Sequence, residues 1–397
     1  MTTLNQSNRL ARSGTNPESE SRILSESKTR NNGNEIQHAP DSEAKAVFFL
    51  GFDWGTHTSC FQGGYTGTSE TSLSLFVPTV VGYAKEGIVE DLLPENARVL
   101  FGEEALKHRM HLRLVSPMVD GIVKDVTGSR EFVQHMRSLI DAPDASEIRA
   151  VIGVPANADA AAKENMRQAV TGLFSRIILI PEPFLAALGF RDETKLSSPS
   201  YVDPVRNSMF VDIGAGTTDV CLVQGCYPTA NDQVSLPFAG DKVDALLAEA
   251  IKKTYPDCDL SLLKVREIKE KYSCVGKTAD PILVSVMVGG KMRKLDLAEQ
   301  VAAACQTLLE QILSAVKTLI GRASSDSVGD LLQNIILTGG GSRIRNLGPE
   351  LQRLLAEEGF EQPCVKLAGE NYKEFVAKGA LKAARQAREG QWQQLVK

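Results

Sequence analysis

The sequence predicts an α/β fold made of two similar halves, and three observations lead to this prediction. Short apolar runs that suit buried strands alternate with stretches in which apolar residues return every three or four positions. An Asp-x-Gly turn follows one such run at Asp53 and recurs after another at Asp212. A third glycine cluster, Gly339–Gly341, ends a later run. Strands that alternate with helices are typical of α/β chains with largely parallel sheets, and the recurrence indicates two related halves.

The predicted elements follow one another in a regular order. The first strand, Ala46–Phe52, combines aromatic and branched residues before a glycine-containing turn. Further strand-then-turn units are Ala150–Pro155, Ile177–Ile180, Met209–Gly214 and Asn334–Gly339. Helices are predicted at Asp159–Gly172, Leu295–Gly321 and Gly348–Glu358, where the apolar spacing has the helical period.

Residues 1–45 differ from the rest of the chain. They are rich in Ser, Asn, Glu and Arg, lack aromatic residues and show neither the strand nor the helix period. Such a composition cannot bury enough apolar surface to offset the cost of ordering the chain. We expect a disordered tail that is unnecessary for catalysis; a role as an interaction arm stays open.

Charge and length exclude several classes of protein. A chain of 397 residues is long enough for about two or three domains. Its net charge of −5 gives no global field for nucleic acid or an anionic membrane, and the basic run Lys107–Arg113 is too short to replace one. No apolar run approaches the roughly 18 residues of a membrane span, and no signal peptide is evident. We expect a cytoplasmic protein with no nucleic-acid partner and no direct membrane insertion.

The seven cysteines form no C-x-x-C pair, which argues against a disulfide framework and a structural zinc site. Cys221 and Cys226 lie in a predicted strand region, and we expect both to be core or near-core thiols.

The two Asp-x-Gly turns have the chemistry of a phosphate site. Glycine lets the backbone approach a phosphate closely, and the hydroxyl residues that follow add donors. Asp53 and Asp212 would repel a phosphate but can hold Mg²⁺, directly or through water. One such turn is most often only a turn; two in matching contexts favour the phosphate site. The glycine cluster could support a base or ribose, although alone it would suggest a flexible turn. A dinucleotide fingerprint at Gly214 is excluded because Asp219 occupies its third glycine position.

These residues resemble the phosphate and adenosine motifs of the superfamily that contains actin, sugar kinases and heat-shock chaperone ATPases. Pro117–Asp125 and Pro181–Ala187 resemble segments of bacterial actins such as MreB. Further segments are similar to the MamK family of actin-like proteins, whose filaments align magnetosomes: Val151–Ala156, Asp232–Val234, Tyr272–Gly276, Leu332–Ile335 and Gly339–Arg345. The first turn departs from these families, which usually have Leu at Trp54, a small residue at His57 and His or Asn at Thr58.

The resemblance implies an actin-like ATPase fold, with two duplicated lobes, each a mixed sheet flanked by helices, and a nucleotide cleft between them. The implied boundaries are a tail at 1–45, lobe I at 46–205 with an inserted subdomain at about 77–125, lobe II at 206–370 with an inserted subdomain at about 236–300, and a C-terminal helix at 371–397 that returns to lobe I.

The resemblance also implies roles for individual residues. Glu182 and Asp212 would be catalytic, with Glu182 placing a water near the γ-phosphate, and Asp53 and Asp212 would bind Mg²⁺ through water. Helix-dipole stabilisation is the alternative role for Glu182, and a solvated helix face is the alternative for Lys269. The residues expected to bind ATP are Asp53, Gly55, Thr56, His57, Thr58, Gly214, Ala215, Gly216, Thr217, Thr218, Lys269, Gly339, Gly340, Gly341 and Ser342.

The implied function is an ATP-dependent polymerising bacterial actin, in which ATP hydrolysis drives filament turnover. The implied partners are further copies of the chain and an adaptor that links the cytoskeletal filament to an organelle membrane, with magnetosomes as the organelle. Two alternatives stay open: a generic MreB-like or plasmid-segregating actin, and a non-polymerising small-metabolite kinase or chaperone-like ATPase.

Overall fold

The computed structural model describes residues 46–156, 158–276 and 281–395, so the predicted tail lies outside the described residues. The strands in this part of the chain are β1 (Ala46–Trp54), β2 (Thr58–Tyr65), β3 (Leu73–Pro78), β4 (Val81–Ala84), β5 (Val99–Phe101), β6 (Leu112–Val115), β7 (Met118–Val119), β8 (Ile122–Val123), β9 (Ala145–Val154), β10 (Arg176–Pro181), β11 (Ser208–Ile213), β12 (Thr218–Val223), β13 (Gln233–Leu236), β14 (Leu283–Val288), β15 (Lys291–Asp296), β16 (Ile335–Thr338), β17 (Val365–Leu367) and β18 (Gln393–Gln394). The α-helices are α1 (Gly102–Lys107), α2 (Val126–Ser138), α3 (Ala160–Val170), α4 (Glu182–Phe190), α5 (Gly240–Thr254), α6 (Leu262–Tyr272), α7 (Ala298–Ile320), α8 (Val328–Leu332), α9 (Leu347–Glu357) and α10 (Phe375–Gln386).

Two large sheets have matching centres. The six-stranded sheet has the order β18-β10-β9-β1-β2-β3, and the five-stranded sheet has the order β13-β12-β11-β16-β17. In the first sheet β1 pairs with β2 antiparallel and with β9 parallel; in the second, β11 pairs with β12 antiparallel and with β16 parallel. The two Asp-x-Gly turns therefore connect equivalent hairpins, which accounts for the repetition in the sequence.

The expectation of largely parallel sheets is wrong in one respect. Three strand pairs of the six-stranded sheet are antiparallel, β1–β2, β2–β3 and β10–β18. For β1–β2 and β2–β3 the physical reason is connection length, since a short turn can join only antiparallel neighbours, whereas parallel neighbours need a crossover of a dozen or more residues. Strand β18 comes instead from the distant C-terminal segment and adds to the edge of the sheet. The mixed sheets implied by the resemblance are the ones observed.

Smaller sheets lie within the two segments expected to be inserted. Strands β5, β4 and β6 form a three-stranded sheet between residues 81 and 115, and β14 and β15 form a separate hairpin. The domain boundaries themselves stay a prediction. None of the helices in the described residues is long and apolar enough to cross a membrane.

Helix α4 carries a predicted catalytic residue at its start, and the packing of α4 against its neighbours fixes the position of that start. Helix α10 packs against α4, β1 and β9. The two helices meet at glycines: a Cβ on Gly379 would overlap the carbonyl of Leu185, and a Cβ on Gly189 would overlap that of Phe375. Such close backbone approach, together with the buried side chains of α4, holds the N-terminus of α4 in one position.

The cysteine expectation is half correct. Cys221 is fully buried in β12, but Cys226 is exposed. Cys226 follows Gly225, whose φ of 77° belongs to a turn beyond the end of the strand, so the chain has left the core by that position.

Candidate functional site

One cavity of about 410 Å³ gathers most of the predicted site residues. Its size lies within the range of about 300–1,000 Å³ that ligand pockets occupy. The predicted residues that line it are Asp53, Gly55, Thr56, His57, Thr58, Glu182, Asp212, Gly214, Ala215, Gly216, Thr217, Lys269, Gly339, Gly340 and Gly341. Apart from Lys269 of α6, they lie on or directly after strands of the two large sheets, so segments far apart in sequence converge on one space.

The turn between β1 and β2 is held by side-chain hydrogen bonds to backbone groups. The hydroxyl of Thr79 donates to the carbonyl of Gly55 at 2.7 Å. The hydroxyl of Thr56 accepts a hydrogen bond from the backbone N–H of Gly121 at 3.1 Å. These bonds fix the backbone of the first turn against the segment that contains Asp120, so its geometry exists before any ligand enters.

The turn between β11 and β12 is fixed by the start of a helix. The N–H of Gly214 donates to the carbonyl of Thr217 at 2.9 Å, which closes the turn. The N–H groups of Gly240 and Asp241, at the N-terminus of α5, donate to the carbonyls of Gly214 and Ala215 at 3.2 and 2.8 Å. The partial positive charge of a helix N-terminus therefore lies beside this turn and favours an anionic ligand.

The two turns approach each other closely. A Cβ on Gly216 would come within 2.7 Å of Asp120 Cα and 2.8 Å of Thr56 Oγ1. Only glycine at this position allows the first turn and the second turn to lie as close together as they do. This requirement explains Gly216 by packing alone, independently of any ligand.

Glu182 is the first residue of α4 and lies directly after β10. A Cβ on Gly153 would come within 2.9 Å of Glu182 Cγ, so the glycine of the Val151–Ala156 segment makes room for this side chain. Glu182 lines the cavity, and its position at a helix N-terminus is compatible with both the catalytic role and helix-dipole stabilisation.

Four carboxyl groups converge at the site: those of Asp53, Glu182, Asp212 and Asp219. Burial, with the charge of Asp212, raises the pKa of Asp53 to about 8, and burial, with the charge of Asp219, raises that of Asp212 to about 7. The pKa of Glu182 is raised well above its usual value by burial and by the charges of Asp53, Asp219 and Asp212. The surroundings thus do not compensate the negative charge that these four carboxyls would carry if all were ionised, and the raised pKa values favour their protonated forms.

This excess of carboxyls fits a bound cation together with an anionic ligand. Within residues 46–156, 158–276 and 281–395, no group of three or more His, Cys, Asp or Glu side chains has the geometry to hold a metal ion by itself. Mg²⁺ usually keeps several waters and takes one or two carboxylates plus substrate phosphates. Asp53 and Asp212 therefore suit Mg²⁺ that arrives with phosphates and is held through water.

Lys269 does not lie on a solvated helix face, since its side chain is only 13% exposed. Its ammonium group pairs with Asp244 at 2.8 Å and donates to the carbonyl of Gly240 at 2.9 Å. Lys269 therefore fixes the start of α5 while it lines the cavity.

Two predicted residues do not line the cavity. Thr218 is fully buried, and its hydroxyl donates to the carbonyl of Phe238 at 2.8 Å. Ser342 is 2% exposed, and its hydroxyl donates to the carbonyl of Gly339 at 2.7 Å. Both hydroxyls are used inside the protein and are not directed at a ligand. The ligand-binding and catalytic roles of the other residues stay predictions.

Sequence reasoning missed several residues of the site. Asp219 is 1% exposed and accepts a hydrogen bond from the N–H of Ala156 at 3.0 Å. The feature of the sequence that could have identified Asp219 as a site residue is its position at the start of the second strand of the hairpin. The charged residues Glu270, Arg343 and Lys373 also line the cavity, and nothing in their local sequence pattern distinguishes them from surface residues.

Comparison with known proteins identifies a family and individual proteins that are similar to this chain. The sequence profile of the family described as MreB/Mbl protein matches residues 53–391. The chain is 31% identical over 362 residues to "Actin-like protein MamK" of Paramagnetospirillum magneticum (strain AMB-1), an alignment that covers 89% of this chain and 97% of that protein.

Solved structures of MamK proteins are also similar to this chain. The structure described as "MamK double helical filament" superimposes with a TM-score of 0.77 at 30% identity, covering 86% of this chain and all of that one. A non-polymerising MamK mutant bound to AMPPNP superimposes with a TM-score of 0.62 at 30% identity, covering 86% of this chain and 99% of that one. The actin-like fold predicted from the sequence is confirmed.

Proposed function

The chain belongs to the MreB/Mbl family of actin-like proteins, and on that premise we propose that it is a bacterial actin that assembles into ATP-dependent filaments. One observation carries the proposal: two equivalent hairpin turns, from two different sheets, converge with Glu182 on a single cavity. A nucleotide between the turns would contact both halves of the molecule at once. The filament and the AMPPNP complex of the MamK relatives support both parts of the proposal.

The cavity supports hydrolysis of ATP by positioning and by charge. The backbones of the two turns would hold the phosphates, and Asp53 and Asp212 would bind Mg²⁺ through its waters. The ion, when bound, supplies positive charge against phosphates and carboxylates. Glu182, ionised beside that charge, would accept a hydrogen bond from a water and align it with the γ-phosphate.

Hydrolysis can control assembly because the nucleotide joins the two halves. A ligand shifts a conformational equilibrium only by its different affinity for the two states, and the γ-phosphate is the group that differs before and after hydrolysis. A subunit surface shared by both halves matches its neighbour in one relative orientation. A head-to-tail contact of this kind that does not close into a ring continues as a fibre. ATP would therefore favour the polymer, and hydrolysis would release subunits.

The cellular role follows from the relatives rather than from the cavity. We propose that the filament is cytoplasmic and positions or aligns magnetosomes through an adaptor protein at the organelle membrane. The 31% identity with proteins named MamK supports this choice over a generic MreB-like actin.

Sedimentation and negative-stain electron microscopy test the proposal. Wild type and Glu182→Ala are compared at micromolar concentrations with Mg-ATP, Mg-ADP, Mg-AMPPNP and no nucleotide. We expect wild-type polymer with ATP that disassembles as phosphate is released, and lasting polymer for Glu182→Ala with ATP. Wild type with AMPPNP is the control, since it should behave like Glu182→Ala with ATP.

The outcomes separate the alternatives. If the subunits remain monomeric while ATP is consumed, the filament proposal fails and the protein is a soluble kinase or a chaperone-like ATPase. Polymer that has no connection with magnetosomes in cells would leave a generic bacterial actin.

A further inference from the structure

The side chains of His57 and Asp241 form a hydrogen-bonded pair at the wall of the cavity. His57 lies in the turn between β1 and β2, and Asp241 lies in the first turn of α5. The distance between His57 Nε2 and Asp241 Oδ1 is 2.9 Å. One residue follows a strand of the six-stranded sheet, and the other begins a helix that is hydrogen-bonded to the second turn. This pair thus links the first turn, through α5, to the second turn, and these are the two turns that would hold the phosphates.

Asp241 is held rigidly by other groups. Its Oδ1 accepts a second hydrogen bond from Arg266 Nη2 at 2.9 Å, and its backbone N–H donates to Ala215. Arg266 also pairs with Asp244 at 3.0 Å, which in turn pairs with Lys269. Burial opposes ionisation of Asp241, but His57, Arg266 and Lys269 together hold its pKa below the usual value. Asp241 is therefore a fixed, charged anchor.

We propose that His57 and Asp241 form a clasp that holds the two turns together over a bound nucleotide and limits the rate at which the nucleotide leaves. This inference rests on the proposed function, because it takes the ligand to be a nucleoside di- or triphosphate. His57 is a positioning residue here: it acts through Asp241 and does not have to touch the ligand.

The location of the pair explains how it would slow the release of a nucleotide. His57 lines the cavity, as does Gly240, the neighbour of Asp241. A nucleotide held between the turns leaves when they separate, and their separation must break the hydrogen bond between His57 and Asp241. Both side chains are about one-third exposed, at 30% and 34%, so the pair can open to water without unfolding the core. A charge-assisted hydrogen bond of this kind changes an opening equilibrium by about tenfold or more.

A direct contact between His57 and a phosphate is the competing explanation, and it has an opposite consequence for Asp241. If His57 had to leave Asp241 to reach the phosphate, removal of the Asp241 carboxylate would free His57 and leave release unchanged or slower. In the clasp, removal of either partner has the same effect.

Release of a fluorescent ADP (mant-ADP) from the full chain, measured by stopped flow with excess unlabelled Mg-ADP, tests the clasp. We expect His57→Ala and Asp241→Ala each to release the nucleotide about tenfold faster than wild type. The double variant should be no faster than the single ones, because the same bond is broken in each. Glu358→Ala is the control: it removes the ion pair between Lys317 and Glu358, of similar length and exposure, outside the cavity, and should not change release.

The melting temperature of each variant checks that the fold is intact. Asp241→Asn is the second variant if Asp241→Ala unfolds, because its amide oxygen can still accept from Arg266 while the charge is lost. Single variants within twofold of wild type, or a double variant whose effect is the product of the two, would overturn the clasp. If the wild type fails to bind mant-ADP at all, the proposed function falls with it, so the two failures can be distinguished.

Discussion

The backbone N–H of Ala156 donates a 3.0 Å hydrogen bond to the carboxylate of Asp219. Ala156 follows β9 of the six-stranded sheet, and Asp219 belongs to β12 of the five-stranded sheet. The bond thus joins the two sheets at the residue whose charge also raises the pKa of Glu182 and Asp212. One side chain has a structural and an electrostatic effect, and two substitutions can separate them.

Asp219→Asn keeps an acceptor for Ala156 but removes the charge, so the pKa of Glu182 should fall. If hydrolysis needs Glu182 ionised, the acid limb of the turnover-against-pH profile should move to lower pH. Asp219→Ala also leaves the N–H of Ala156 without its acceptor, and for this partly buried donor the cost is at most about 1–3 kcal/mol. We therefore expect Asp219→Ala to have a lower free energy of unfolding than Asp219→Asn by up to that amount, measured by urea denaturation. An unmoved acid limb in Asp219→Asn would remove the electrostatic role.

The stability of the ligand-free protein should fall as pH rises through the site's pKa values. The folded-state pKa is about 8 for Asp53 and about 7 for Asp212, above the ordinary value of 3.8. Between these limits the folded state binds more protons than the unfolded state, so the stability that these groups contribute is fully present below about pH 4, is lost progressively as pH rises, and is gone once pH has passed the folded-state values of about 7 and 8.

Asp212→Asn removes one of these carboxyls and should reduce the loss of melting temperature between pH 5 and pH 8. Each kcal/mol corresponds to about 2–4 °C in a domain of 150–250 residues and to less in a larger one such as this. Asp326→Asn, at an exposed position, is the control and should leave the pH dependence as in wild type. Equal losses in wild type and Asp212→Asn would show that the carboxyl cluster does not strain the ligand-free fold.

Mg²⁺ should bind to this protein only together with a nucleotide. The described residues contain no cluster of three or more ligating side chains, so phosphates must complete the coordination. In a thermal-shift measurement, we expect about 1 mM Mg²⁺ alone to leave the melting temperature unchanged, and Mg²⁺ with ADP to raise it more than ADP with EDTA. Stabilisation by Mg²⁺ alone, absent with Ca²⁺, would indicate a preformed protein site.

The parts of the site that the sequence predicted are those with local signals. Asp53 and Asp212 each end an apolar strand and precede a glycine turn, and such turns are specified by neighbours in sequence. Thr218 belongs to the same pattern, yet its hydroxyl is bonded to Phe238, because side-chain direction alternates along a strand and no turn motif specifies it.

Contacts between distant segments could not be predicted in this way. The bond between Asp219 and Ala156 and the pair of His57 with Asp241 depend on how the two sheets face each other. That arrangement is set by the packing of the whole core, and a single sequence carries no local record of it. The departure of His57 from the related families was visible, but its partner was not.

Gly340 and Gly341 are neighbours, but we expect glycine to be required for different reasons at the two positions. At Gly340 the reason is ligand binding, and at Gly341 it is packing. A Cβ on Gly341 would overlap the side chain of Ile213, which is fully buried, so Gly341→Ala should destabilise the fold by about 1–3 kcal/mol. A Cβ on Gly340 would meet no protein atom within 4 Å, and Gly340 lines the cavity without a positive φ. Gly340→Ala should therefore keep its melting temperature, whereas a base or ribose that lies on this backbone would be displaced and ADP affinity should fall about tenfold. Titration with mant-ADP and thermal unfolding of both variants measure the two effects separately. If Gly340→Ala binds ADP as tightly as wild type, the nucleoside lies elsewhere in the cavity and Gly339–Gly341 is only the turn that ends β16.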